Sequence, residues 1–98
     1  MGRYLLLWQL DPARVPVDPK ERAAGWSGLM AMVHKDLEKG ICKDWGAFVG
    51  EGSGYVVVEG TESEVSLMAQ QYNPYCHFET HPLMSVNQID DMLKTMGG

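Results

Sequence analysis

Three helix-start signatures divide this chain: Asp18-Pro19-Lys20-Glu21, Thr61-Glu62-Ser63-Glu64 and Ser85-Val86-Asn87-Gln88. Each sets a side-chain oxygen before the first free amides of a helix. Three residues later stands a Glu or Gln that can reach back to the cap. Helices are therefore expected to start at all three, and the intervening segments must be strand or turn. Behind Asp18, the residues Trp26, Leu29, Met30, Val33 and Leu37 form one helical stripe, which Gly40 closes. Val65, Met68, Ala69 and Tyr72 make a shorter stripe after Thr61, and Val86, Ile89, Leu93 and Met96 a third after Ser85. Gly25 and Gly28 weaken the first helix, which suggests close backbone packing there.

Between the helices lie four strand-like runs. YLLLWQL (4–10) is apolar without helical spacing and ends at Asp11-Pro12. ICKDWGAFV (41–49) and GYVVVEG (54–60) flank the turn GEGSG and read as a hairpin. CHFETHPLM (76–84) follows the turn QYNPY. The segment DPARVPVDP carries three prolines and is expected to be an ordered loop. Ninety-eight residues leave room for one core, so residues 1–98 are taken as a single domain. The expected class is α+β. Two interleaved right-handed strand–helix–strand units give a ferredoxin-like βαββαβ sandwich with an added C-terminal helix and sheet order 4-1-3-2.

In such a sandwich the helices cover one sheet face, and the other should alternate toward water. Here Leu5 and Leu7 oppose Tyr4, Leu6 and Trp8 in the first strand, and Tyr55-Val56-Val57-Val58 is apolar on both sides. An apolar face of that size predicts a second copy packed sheet to sheet.

The element order and the stretches KGICKDWGAFVGEGSGYVVVEG and HFETHP resemble the dimeric α/β-barrel superfamily. That superfamily includes muconolactone isomerase-like proteins and cofactor-free monooxygenases of antibiotic biosynthesis. The likeness spans nearly the whole chain and is more specific to a group of bacterial and archaeal domains of unknown function, roughly ninety residues long. It implies a homodimer through the sheet face; it says little of chemistry, since one fold hosts unrelated activities.

The candidate chemistry lies in CHFETHP. Alternation sends Cys76, Phe78 and Thr80 toward the helices and His77, Glu79 and His81 to the other side. Three readings are open: a solvated edge-strand face, an acid/base site in which a histidine, His77 first, works with Glu79, and a metal site. The metal reading suffers from geometry, because ligands at alternate positions of one strand are nearly collinear. Leu7, Gln9, Tyr55 and Glu59 are expected on the same face, with Trp45 available to stack an aromatic ligand. Together they would bind a small apolar or aromatic molecule, without cofactor or metal.

Charge and composition exclude other classes. A net charge of −5, with acidic residues spread along the chain, argues against nucleic acid. MGRYLLLWQL is closed too early by Gln9 and Asp11 for a signal peptide or membrane span, so a cytoplasmic location is expected. Neither Cys42 nor Cys76 belongs to a CxxC pair, and opposite edge strands would hold them about 14 Å apart. The proline-rich loop lacks the arginine-bearing phosphate loop of acylphosphatases, and GEGSG has no lysine or helix behind it. Two functions follow: a small-molecule-binding homodimer with proton-transfer, isomerisation or oxidation chemistry, or a non-catalytic dimerisation or sensory domain.

Overall fold

The computed structural model describes residues 2–97. Its order is β1 (Gly2–Leu10), a short 3-10 turn (Pro12–Arg14), α1 (Pro19–Lys39), β2 (Cys42–Ala47), β3 (Ser53–Gly60), α2 (Glu62–Gln70), β4 (Cys76–Leu83) and α3 (Val86–Gly97). All three cap signatures operate. The Asp18 carboxylate accepts from the Glu21 amide at 3.2 Å. Thr61 and Glu64 close a reciprocal box, with Thr61 Oγ1 accepting from the Glu64 amide and Glu64 Oε1 from the Thr61 amide. Ser85 and Gln88 do the same at 2.7 and 3.1 Å. Gly40 ends α1 at φ 84°, a left-handed conformation that a side chain would strain, and donates its amide to the Leu37 carbonyl.

The four strands form one antiparallel sheet in the order β2-β3-β1-β4, which is the expected 4-1-3-2 seen from the other edge. This order is consistent with a ferredoxin-like sandwich. β2 and β4 are the edges, so Cys42 and Cys76 stand apart, and both are free thiols.

Registry decides which residues the helices cover. On the covered side Leu6, Trp8, Val56 and Val58 are buried, joined by Val33 from α1 and by Val65 and Met68 from α2. Each such side chain contributes about 1.5–3 kcal/mol by leaving water. Trp8 is the centre of this layer. Its ring stacks on Trp45 at 5.0 Å, meets Trp26 edge-on at 6.1 Å, and donates its indole N–H to the Gly46 carbonyl at 3.2 Å. Gly54 is the price of that packing: a Cβ there would stand 2.1 Å from the Gly46 carbonyl oxygen and 2.5 Å from the Trp8 ring.

The cover is incomplete. From Glu79 to the end of α3 no described residue is buried, so the second half of β4 is bare on both faces. In α3, Ile89, Leu93 and Met96 form the expected apolar stripe, yet all three are exposed. The radius of gyration is 16.3 Å, against about 13 Å for a compact domain of this length. The close backbone packing expected at Gly25 and Gly28 is not found: among the described residues a Cβ at either position would meet no neighbouring element within 4 Å.

Candidate functional site

Strand register brings most of the predicted site residues to one place. β1 pairs with β4 so that Leu5 faces His81, Leu7 faces Glu79 and Gln9 faces His77. On its other side β1 pairs Leu7 with Tyr55 and Arg3 with Glu59. His77, Glu79, His81, Leu7, Gln9, Tyr55 and Glu59 therefore share the sheet face opposite the helices. Its middle row of Leu5, Leu7, Tyr55 and Val57 is only half-buried. At one end a shallow hollow of about 270 Å³ is lined by Leu7, Gln9, Phe48, Ser53, His77 and Glu79.

Trp45 does not join this group. The β2–β3 pairing shifts register between Cys42 and Asp44. Such a bulge adds a residue and resets the alternation. Trp45 consequently lies opposite Val56 on the covered side, stacked on Trp8. Any aromatic ligand on the open face must find another ring, and Tyr55 and Phe48 are there, 6.5 Å apart.

Pairings among the polar groups also differ from expectation. Glu79 sits 3.7 Å from His81 Nε2, whereas His77 Nε2 is nearest Asp11, at 4.0 Å. His77 and His81 are 66% and 49% exposed, so either imidazole is open to contact from water or a bound molecule. Asp11 also accepts from the Ala13 amide at 3.0 Å and lies 3.5 Å from Arg14 Nε, which fixes its position. Sequence reading passed over Asp11. Once Gln9 is known to face His77, a residue two positions later, just past the end of β1, falls beside the same imidazole, but only the register supplies that information.

Two other site residues are engaged within the sheet. Tyr55 donates its hydroxyl to Asp44 Oδ2 at 2.9 Å, and this hydrogen bond to a carboxylate raises the phenol's pKa. Glu59 is paired with Lys43 at 3.5 Å. Among the described residues no group of three His, Cys, Asp or Glu side chains is placed to hold a metal ion.

Beneath the helices lies a buried polar pair that the sequence reading also missed. Asp36 is 2% exposed and accepts from the Tyr72 hydroxyl at 2.5 Å. Burial, then the bond to Asp36, pushes the Tyr72 phenol far above its ordinary value, so it remains a donor. Burial reinforced by Asp36 raises the Cys42 thiol to about 11, and burial raises Cys76. Neither thiol is a nucleophile near neutral pH. The pair therefore ties α1 to the turn after α2 without exposing chemistry.

No known protein-family model matches the chain, and no curated protein matches it significantly. Among the described residues no helix is long and apolar enough to cross a membrane.

Proposed function

We propose that this chain is a homodimeric, small-molecule-binding protein of the dimeric α/β-barrel type, in which two open sheet faces meet and enclose the ligand. The carrying observation is the half-exposed row Leu5, Leu7, Tyr55 and Val57, apolar in a position where a lone sheet would show polar groups. The exposed stripe of α3 supports the same reading, since a short helix gains most of its stability from packing its apolar face. In this dimer His77, Glu79 and His81 stand at the rim of the enclosed space, and His77, which lines the hollow beside Glu79, is the group that moves a proton on a bound molecule. A cytoplasmic location belongs to the same proposal.

The wide exposure of both histidines favours a second reading, a dimerisation or sensory domain that binds without turnover. Native mass spectrometry with sedimentation equilibrium separates the outcomes. A dimer that Leu7→Glu splits into monomers supports the sheet-face pairing; a wild-type monomer at micromolar concentration rejects it. His77→Ala should keep the dimer while weakening ligand retention or abolishing turnover, and unchanged ligand behaviour would remove His77 from the site.

A further inference from the structure

On the helix side, away from the open face, the fold leaves a cavity of about 390 Å³. It lies within the usual size range of small-molecule pockets, about 300–1,000 Å³. Its walls are apolar: Leu10 at the end of β1, Val15 from the proline-rich loop, Trp26, Leu29 and Met32 along α1, and Tyr75 from the turn before β4. Gly25 and Gly28 also face it, in a helix where alanine would be more favourable. No described residue outside the helix's own turns presses on either glycine, so their missing side chains widen the cavity instead of admitting a neighbouring backbone.

The mouth carries charge. Arg14, Arg22 and Asp11 all line it. Arg14 is already balanced by Asp11 at 3.5 Å and lies over the Tyr75 ring. Arg22 donates to the Val17 carbonyl but has no carboxylate partner among the described residues. The mouth is thus apolar within and positive by one uncompensated charge, on a chain whose overall charge of −5 repels anions at a distance.

We infer that this cavity is a binding site for an amphiphilic monocarboxylate, with a flat ring system or short acyl body against Trp26, Leu29 and Met32 and its carboxylate on Arg22. A monoanion balances the one open charge. A phosphate dianion would leave one negative charge unmatched beside Asp11. An uncharged molecule would leave the guanidinium without a partner. No residue of the half-exposed row lines the cavity, and Asp11 alone touches both its mouth and His77 of the open face.

The test uses 2-naphthoate and its uncharged analogue 2-naphthamide on the full chain, followed by calorimetry and by amide chemical shifts. Naphthoate should saturate at one per chain and shift the amides of Gly25, Trp26 and Gly28. The amide should bind about fivefold more weakly, the scale of one exposed charge pair, and Arg22→Gln should reduce naphthoate affinity by a similar factor. Gly28→Leu projects into open space, so it should fold with an unchanged or higher melting temperature while abolishing binding. Absence of saturation at millimolar naphthoate overturns the site. Binding that survives Gly28→Leu and is lost with Leu7→Glu also overturns it, by placing the ligand on the sheet face and leaving the proposed function standing. Equal affinity for acid and amide overturns the assignment of a carboxylate.

Discussion

The two faces of this sheet are built from nearly the same residue types and meet different fates. Leu6 and Val58 are fully buried under the helices, whereas Leu5, Leu7 and Val57, their neighbours in the chain, are only half-covered. Composition therefore does not distinguish the faces; the connections do. Both crossover helices pack on the same side of the sheet, as right-handed connections require, which leaves the apolar residues of the other side half-covered. A sequence with this pattern encodes more apolar surface than one copy can cover.

Substitutions can break or sharpen this contrast. The largest effect is expected from Gly54→Ala, which drives a methyl group into a backbone carbonyl and an indole ring that cannot both retreat. The loss should be about 3 kcal/mol or more, read from urea unfolding or from failure to fold. A soluble variant with the wild-type midpoint would mean that the Trp8 layer is looser than described.

Leu6→Ala should cost about 3 kcal/mol, as for other buried leucines, and Leu7→Ala about 1 kcal/mol or less in a monomer. In a sheet-paired dimer the Leu7 loss grows toward the Leu6 value and depends on protein concentration. Equal, small losses at both positions would erase the distinction between the faces.

Tyr72→Phe should cost about 2 kcal/mol, because it strands the buried Asp36 carboxylate without its donor. The same buried layer predicts an alkaline weakness. Below pH 9 the Cys42 thiol is protonated in folded and unfolded chains alike, and its contribution is complete. Between pH 9 and about 11 the unfolded chain ionises first, so stability falls as pH rises. Urea midpoints at pH 8 and pH 10.5 should differ less in Cys42→Ala than in wild type; identical differences would assign the alkaline loss to other groups. The smallest effect, and the only gain, is expected from Gly28→Ala, about 0.8 kcal/mol of added stability. A loss there would show that something presses on the glycine after all.

The fold was legible because its signals are local. A cap and a stripe of apolar residues lie within one or two turns of the chain, and the structure realises all three caps. The strand order followed from handedness. The shared face of His77, Glu79, His81, Leu7, Gln9, Tyr55 and Glu59 was legible too, through simple alternation. Legibility failed where one residue interrupted a period or where partners were distant in sequence. The bulge after Cys42 turned Trp45 inward, and nothing in CKDWGA announces it. Asp11 reaches His77 across 66 positions, and Asp36 reaches Tyr72 across 36; spacing along the chain carries no trace of either. The glycines of α1 show the complementary failure. Close backbone packing was expected at Gly25 and Gly28 and is not found, because the sequence does not say whether a glycine makes room for a neighbour or for an empty space.

The contact between Trp8 and Gly54 has a consequence for descent. The two positions lie opposite each other on adjacent strands, and the indole occupies the volume that any side chain at position 54 would need. Releasing the ring does not free the position, because the Gly46 carbonyl blocks it independently. The tryptophan can thus be lost first and the glycine cannot. Relatives of this chain should keep glycine at the position of Gly54 even where the indole has been replaced, and the reverse combination should be rare.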